Sequence, residues 1–153
     1  MSKQKSGMVD ISRKNITQRR AVACGSVVFD AKTFRIFLKQ GSPKGDILET
    51  AKVAGIMAAK ATPQIIPLCH PLALEKVFVR FEINKMKKRV LVEAEVLCSG
   101  KTGVEMEALT AVSAACLTIY DMMKWASHAI RIADIHLVHK SGGKSGVFRI
   151  GKY

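Results

Sequence analysis

The sequence predicts one α+β domain in which helices cover one face of an antiparallel β-sheet. Its 153 residues are the usual length of a single compact domain, and no internal repeat or linker divides them. Two stretches, residues 76–83 and 90–97, alternate apolar and polar side chains around a basic turn, which is typical of a β-hairpin. Longer stretches on both sides of this hairpin carry apolar side chains at helical spacing.

Before the hairpin, the chain predicts one strand and two helices. The strand covers Arg19–Phe29. Asp30 is placed to cap the first helix, which stops at Gly41. The second helix, Asp46–Ala61, opens with the acidic spacing of a capping box. It is rich in alanine and glycine, and we expect it to be buried because such small side chains let another backbone approach closely.

After the hairpin, the sequence predicts one long helix and a last strand. The helix begins at Thr102 or Gly103, and the strand covers about Arg131–His139. Without the extra helix, the order strand, helix, strand, strand, helix, strand is that of the ferredoxin-like (βαββαβ) fold, which has helices on one face of its sheet. The uncovered face favours an oligomer. Residues 1–8 and 141–153 are expected to be flexible tails of this domain, which spans the whole chain.

The composition restricts the classes of partner. The net charge of +13 suits nucleic acid, an anionic membrane or a polyphosphorylated small molecule, although a generally basic proteome would produce the same excess. Aromatic residues make up only 6%, and the strands lack the aromatic pairs that stack on bases. No apolar run is long enough to span a membrane, and the basic N-terminus lacks the apolar stretch of a secretory signal. We therefore expect neither a nucleic-acid nor a membrane partner.

The cysteines and histidines predict no metal site. The four cysteines lie far apart, without the close spacing of zinc ligands, and a chain that builds its own core does not need disulfides. Reduced cysteines in a cytoplasmic protein are the favoured interpretation. His136 and His139 are three residues apart in the last strand, so we expect them on opposite faces of the sheet. The cysteines are Cys24, Cys69, Cys98 and Cys116.

Two loops carry residues that are able to do chemistry. Lys44 stands beside a glycine before a predicted helix N-terminus, where a lysine can meet a phosphate or transfer a proton; the alternative is a solvated loop lysine. His70 lies in a proline-bounded segment and is either a buried group or a ligand contact. Its neighbour Cys69 forms no nucleophilic pair with it, because adjacent residues of an extended chain point to opposite sides.

Both ends of the long helix carry charged residues. Glu105 and Glu107 stand in its first turn, where the helix dipole favours acidic side chains. They point about 200° apart around a helix, so we expect that they do not share one small site. Asp121 and Lys124 lie one turn apart on the same face near the other end. They form either a surface ion pair or a site in which the acid positions a protonated catalytic lysine.

Seven stretches, in order and with matching spacing, resemble the cyclic pyranopterin monophosphate synthase family of molybdenum-cofactor biosynthesis. The resemblance covers about residues 8–146. The stretches are Met8–Asp10, Lys44–Asp46, Ala54–Ile56 together with Ala58–Lys60, Ile66–Leu72, Gly100–Val112, Tyr120–Met122 together with Lys124, and Lys140–Gly146.

The resemblance implies a function and an assembly. The fold would be a ferredoxin-like subunit of a homohexamer, built as a trimer of dimers with active sites between subunits. The enzyme would be a lyase acting on (8S)-3',8-cyclo-7,8-dihydroguanosine 5'-triphosphate. It would form cyclic pyranopterin monophosphate and release pyrophosphate. The resemblance implies no obligatory metal and no organic cofactor.

The resemblance also implies roles for individual residues. Lys44 and Lys124 match the essential lysines of the family, and Asp121 matches its active-site aspartate. We expect the lysines to act as an acid–base pair with lowered pKa values, with Asp121 orienting Lys124. Basic positions thought to meet the triphosphate correspond to Arg19 and Lys140. The family contacts its substrate at the positions of Leu68, Cys69, His70, Met106 and Glu107.

We expect the candidate residues at the two ends of the long helix to lie too far apart to meet in one subunit. The two ends of the long helix are separated by about 20 Å or more at the usual rise of an α-helix. We therefore expect Met106 and Glu107 of one chain to face Asp121 and Lys124 of another, unless the helix bends.

Overall fold

The computed structural model describes residues 6–151, which form nine helices and strands. The five strands build one antiparallel sheet in the order β2-β3-β1-β4-β5. The predicted α+β, ferredoxin-like class is therefore confirmed. The elements are β1 (Thr17–Val28), α1 (Ala31–Lys39), α2 (Ile47–Lys60), α3 (Thr62–Ile65), β2 (Lys76–Asn84), β3 (Arg89–Gly100), α4 (Glu105–Met123), β4 (Arg131–Ser141) and β5 (Phe148–Arg149).

Helices α2 and α4 cover one face of the sheet and lie very close to each other. A Cβ atom added to Gly55 of α2 would lie 3.0 Å from the carbonyl oxygen of Ala111 in α4 and 3.1 Å from Cγ2 of Val79 in β2. Ala51 and Ala59, one turn to either side of Gly55, are also buried. The small residues of α2 therefore permit the close approach that the sequence predicted.

Helix α1 is the extra helix, and it covers the end of β1. The Asp30 carboxylate accepts a hydrogen bond from the backbone N–H of Thr33 at 2.9 Å, which confirms the predicted cap. Phe34 and Phe37 of α1 pack against Phe29, with ring centroids 5.9 and 5.3 Å from that of Phe29. These contacts place the loop after α1 beside the end of α4.

Strand β4 departs from the predicted regular pattern. His139 pairs with Val22 and His136 pairs with Cys24 of β1, and Val22 and Cys24 lie on the same face of the sheet. The prediction that the two histidines lie on opposite faces is therefore wrong. The register of β4 against β1 shifts between Val22 and Ala23, and this bulge changes the alternation that the spacing implied.

The segment after β4 adds one strand that the sequence did not predict. Phe148 and Arg149 of β5 pair with Lys140 and His139 of β4, within the stretch expected to be a flexible tail. No helix among residues 6–151 combines the length and the apolar character needed to cross a membrane.

Candidate active site

Lys44, Asp121 and Lys124 form one cluster of charges, which we call the lysine–aspartate cluster. Nζ of Lys44 lies 2.6 Å from Oδ2 of Asp121, and Nζ of Lys124 lies 2.7 Å from Oδ1. Each carboxylate oxygen thus binds a different lysine. The three side chains are each about half-exposed, at 49–51%. The predicted acid and both predicted lysines therefore meet on one chain, at a solvent-exposed surface.

The loop between α1 and α2 brings Lys44 to the end of α4. The Ser42 hydroxyl donates a hydrogen bond to the carbonyl oxygen of Met122 at 2.7 Å. The backbone N–H of Lys44 donates to the same hydroxyl at 3.2 Å. Gly41 and Gly45 adopt φ values of +69° and +114°, a region that favours glycine, so the loop can turn sharply on both sides of Lys44.

The charges of the cluster reinforce one another. The hydrogen bond from Lys124, followed by the one from Lys44, lowers the pKa of Asp121 to about 2. The hydrogen bond and charge of Asp121 in turn raise the pKa of Lys124. The expectation of a lowered pKa is therefore wrong for Lys124, because its nearest charged neighbour is an anion and burial is slight. At neutral pH the ligand-free cluster contains a carboxylate and a protonated Lys124.

The five residues expected to contact substrate line a single cavity of about 420 Å³, which we call the Glu107 pocket. It lies at the start of α4, beneath the N-terminal segment, and has the size of small-molecule sites. Its lining residues are Val9, Ile11, Lys14, Leu68, Cys69, His70, Leu72, Thr102, Gly103, Glu105, Met106 and Glu107.

Glu107 is the buried charge of this pocket. Glu107 is only 3% exposed, and among residues 6–151 no Lys, Arg or His forms an ion pair with its carboxylate. Burial, and then the charge of Glu105, raises the pKa of its carboxyl group. Burial and the charge of Glu107 likewise raise the pKa of Cys69, which keeps that thiol neutral and argues against a nucleophilic role.

Glu105 lines the same pocket as Glu107, so the prediction that the two glutamates do not share a site is wrong. Helix α4 begins at Glu105 instead of at Thr102 or Gly103, because Val104 is the N-cap. The Glu105 carboxylate folds back over Gly103: a Cβ atom at Gly103 would lie 2.0 Å from Oε2 of Glu105. The side chain therefore reaches the pocket from the N-terminal side of the helix. The predicted angle between Glu105 and Glu107 around the helix axis does not keep it out of the pocket.

Arg19 lies in a different cavity of about 490 Å³, which we call the cationic pocket. Arg19 is 8% exposed, and its Nε atom donates a hydrogen bond to the carbonyl oxygen of Gly100 at 3.1 Å. The cavity lies between the N-terminal segment and the loop after β4. Its lining residues are Arg13, Lys14, Asn15, Thr17, Arg19, Gly143, Lys144 and Ser145.

Lys140 stands between the two cavities and lines neither of them. Its Nζ atom lies 3.7 Å from Oε1 of Glu105, at the Glu107 pocket, and donates a hydrogen bond to the hydroxyl of Ser145, at the cationic pocket. No role was predicted from sequence for Arg13, Lys14 or Lys144. Lys144 lies within one of the matched stretches, which was a usable signal, whereas no pattern marked Arg13 or Lys14.

The candidate residues thus form two groups on one chain. Asp121 is 14 residues after Glu107 in α4, which corresponds to about 21 Å along an α-helix. No residue of the lysine–aspartate cluster lines either cavity. Among residues 6–151, no three His, Cys, Asp or Glu side chains are grouped in a way that would hold a metal ion.

Curated proteins of known name are similar to this chain over nearly its whole length. A protein of Parvibaculum lavamentivorans is 51% identical over 93% of this chain and 89% of its own. Proteins of Nitratidesulfovibrio vulgaris and Oleidesulfovibrio alaskensis are 52% and 53% identical over 93% of this chain, and over 88% and 89% of their own lengths. All three are named cyclic pyranopterin monophosphate synthase.

The family comparison agrees with these pairwise similarities and confirms the predicted membership. The sequence model of the MoaC family matches residues 8–143, a span that contains the lysine–aspartate cluster and nearly all of both cavities. The chain belongs to the MoaC family.

Proposed function

We propose that the protein is a cyclic pyranopterin monophosphate synthase of molybdenum-cofactor biosynthesis. It converts (8S)-3',8-cyclo-7,8-dihydroguanosine 5'-triphosphate to cyclic pyranopterin monophosphate and pyrophosphate, which makes it a phosphorus–oxygen lyase. The observation that carries the proposal is the lysine–aspartate cluster, in which two lysines bind one carboxylate at 2.6 and 2.7 Å. The shared name of relatives that are 51–53% identical supports the choice of substrate.

The lysine–aspartate cluster supplies the proton transfers that ring opening and re-closure require. The raised pKa of Lys124 keeps it protonated, so Lys124 acts as the proton donor. Asp121 holds Lys124 and Lys44 on its two oxygens and thereby fixes the position of both. Lys44, held by the same carboxylate, is the second acid–base group of the pair.

The two cavities divide the substrate between them. Formation of the cyclic phosphate joins a sugar oxygen to the first phosphorus and breaks the bond from that phosphorus to the next phosphate, so pyrophosphate leaves with its electrons. The cations Arg19 and Lys140 are suited to stabilise the growing negative charge. The Glu107 pocket, with an acid, an imidazole and apolar side chains, is suited to the ring system.

A complete site requires two chains, since the lysine–aspartate cluster and the Glu107 pocket lie about 21 Å apart along α4. We propose that the cluster of one subunit faces the pockets of another in a homohexamer built as a trimer of dimers. Exposed apolar side chains support an assembly: Val53 and Met57 follow one another along α2, and Leu117 is exposed on α4. No disulfide is found among residues 6–151, which supports a cytoplasmic location.

Direct assay tests the activity. The purified protein is given the cyclised dihydroguanosine triphosphate, and cyclic pyranopterin monophosphate and pyrophosphate are measured together. We expect both products in equal amounts, and Lys44→Ala and Lys124→Ala should each abolish turnover without changing the oligomer. Full activity in either variant would remove that lysine from the mechanism. Absence of both products with the wild-type protein would remove the proposed function.

A further inference from the structure

The ion pair between Lys44 and Asp121 is too weak to hold the loop that carries Lys44. Both side chains are about half-exposed, and an ion pair in such a position contributes little to stability. The loop backbone can take many shapes, because Gly41 and Gly45 flank Lys44 with φ values of +69° and +114°. A lysine side chain also loses many rotamers when it is fixed in one place. Another contact must therefore keep Lys44 beside Asp121.

Ser42 opens a tight turn that fixes the backbone of Lys44. The N–H of Gly45 donates a hydrogen bond to the carbonyl oxygen of Ser42 at 3.2 Å, which closes the four-residue turn. Serine at the first position, Pro43 at the second and glycine at the fourth are the residues that a type I β-turn favours. The Ser42 hydroxyl accepts a further hydrogen bond from the N–H of Lys44 at 3.2 Å. The serine side chain is therefore part of the turn.

The same hydroxyl attaches this turn to the last turn of α4. It donates a hydrogen bond to the carbonyl oxygen of Met122 at 2.7 Å. The final carbonyl groups of a helix lack the N–H partners that earlier ones have. The N–H of Ala126, four residues after Met122, donates to the carbonyl oxygen of Met123 at 2.9 Å. The Ser42 hydroxyl thus takes the place of a helical donor and joins the loop to the helix.

The hydroxyl and the ammonium group bind consecutive residues of α4. Nζ of Lys44 lies 3.4 Å from the carbonyl oxygen of Asp121, the residue before Met122, and 2.6 Å from its Oδ2 atom. Because the two attachments adjoin, the bond of Ser42 sets where Lys44 meets the helix. After Lys44, Asp46 caps α2 through a hydrogen bond of 2.9 Å. The loop is therefore anchored to one helix before Lys44 and to another after it.

We propose that Ser42 is a positioning residue whose hydroxyl holds the Lys44 ammonium group at the Asp121 carboxylate. Its effect on turnover rests on the proposed function, because it acts through an acid–base group of that reaction. Its effect on the ligand-free protein needs no substrate. Without the hydroxyl, Lys44 would occupy its place beside Asp121 for less of the time. Proton transfer would then slow, since a displacement of about 1 Å is enough to lower a rate substantially.

NMR titration of the Asp121 carboxyl carbon tests this role in the ligand-free protein. Ser42→Ala removes the hydroxyl, and Ser42→Thr keeps it. Ser113→Ala is the matched control, because Ser113 donates a similar bond to the carbonyl oxygen of Leu109, at 2.8 Å, within α4. The hydrogen bond from Lys44 lowers the pKa of Asp121, so Ser42→Ala should raise that pKa. Ser42→Thr and Ser113→Ala should leave it near the wild-type value.

The same titration in a Lys44→Ala background shows whether Ser42 acts through Lys44. There, Ser42→Ala should cause no further rise in the pKa of Asp121, because the ammonium group that it positions is gone. An unchanged pKa in Ser42→Ala alone, or an equal rise in both backgrounds, would overturn the proposal. A rise in Ser42→Thr as large as that in Ser42→Ala would overturn it as well, since threonine retains the hydroxyl.

Turnover assays separate this proposal from the proposed function. With the triphosphate substrate, Ser42→Ala should lower kcat by about tenfold and change KM much less. Ser113→Ala should behave as the wild type does, and an equal fall of kcat in both variants would overturn the positioning role. If the titration results hold and the wild type forms no pyranopterin, the positioning role stands and the proposed function fails. If pyranopterin forms and Ser42→Ala changes neither the pKa of Asp121 nor kcat, the positioning role fails alone.

Discussion

Lys44 Nζ lies 2.6 Å from Asp121 Oδ2, although 77 residues separate the two in sequence. Lys124, one turn from Asp121, occupies the other carboxylate oxygen at 2.7 Å. A single aspartate therefore connects a loop lysine with a helix-end lysine. This one carboxylate fixes the position of both lysines.

The pKa of Asp121 should reveal the separate contributions of the two lysines. With both in place, the pKa of Asp121 is about 2. Lys124→Ala should raise this pKa more than Lys44→Ala does, because the hydrogen bond from Lys124 is the larger cause of the shift. NMR titration of the side-chain carboxyl carbon measures all three proteins. A larger rise in Lys44→Ala would contradict the order of the two contributions.

Asp121→Asn should narrow the pH range of activity on its alkaline side. The carboxylate raises the pKa of Lys124, so its removal lets Lys124 lose its proton at a lower pH. If protonated Lys124 is the proton donor, the alkaline fall of kcat/KM moves to lower pH, and activity at the optimum drops by about 10² or more. The pH profiles of both enzymes give the measurement. A shift to higher pH, or none, would exclude Lys124 as the donor.

Mixed oligomers should recover activity that neither parent has. Lys124→Ala removes a lysine from the lysine–aspartate cluster, and Glu107→Ala removes the carboxylate from the Glu107 pocket. These two sites lie at opposite ends of α4. If each site joins two chains, roughly a quarter of the sites in an even mixture contain both intact halves. Co-expression with two affinity tags isolates the mixed form for assay. Lys124→Ala mixed with Lys44→Ala is the control and should stay inactive, since both belong to the same cluster.

Glu107→Gln should stabilise the ligand-free protein while weakening its activity. Burial raises the pKa of Glu107 above its ordinary value of 4.5, so the folded protein keeps this proton to a higher pH than the unfolded chain does. The cost of ionising Glu107 therefore appears as the pH rises above 4.5 and is complete above the folded pKa. Glutamine avoids it, and we expect the free energy of unfolding at pH 7 to rise by roughly 1–3 kcal/mol.

Urea unfolding at several pH values from 4 to 8 measures this gain against the wild type. The advantage of Glu107→Gln should shrink toward pH 4, where the wild-type carboxyl is protonated. A variant that is less stable than the wild type at pH 7 would show that the carboxylate is well solvated or paired.

Gly55→Val should destabilise the fold by about 1–3 kcal/mol through overpacking. A Cβ atom at Gly55 already comes within 3.0 Å of the Ala111 carbonyl oxygen, and this atom belongs to the backbone of α4, which does not yield easily. Met57→Val introduces the same β-branched residue at an exposed position of the same helix and serves as the control. Thermal unfolding of both variants compares the effects. An equal loss in both would assign the effect to helix propensity instead of packing.

Local chemistry allowed much of the fold to be predicted from sequence. The caps at Asp30 and Asp46 depend on a side chain three residues from the N–H that it binds, and the structure contains both. The hairpin of β2 and β3 depends on alternation within each strand. The close approach of another backbone to α2 was predicted from the small residues around Gly55, whereas the sequence did not identify α4 as the partner.

The parts that were not predicted depend on contacts between distant segments. His136 and His139 share a face because β4 bulges against β1, and no residue within β4 records that shift. Glu105 reaches the pocket because the chain turns at Gly103, just before the helix begins. Arg13 and Lys14 join the cationic pocket because Lys101 holds the N-terminal segment at Ser12. Each of these arrangements is a long-range or irregular feature that spacing alone does not describe.

Helix α4 restricts where insertions and deletions can occur in this chain. It carries Glu107 in its first turn and Asp121 in its last, so its 19 residues fix the spacing and the relative direction of two chemistries. One residue inserted between them would rotate one end against the other by about 100° and lengthen the helix by about 1.5 Å. In a symmetric assembly that error would be repeated at every site. The β2–β3 turn carries no such constraint, and insertions and deletions among related chains should collect there while α4 keeps its length.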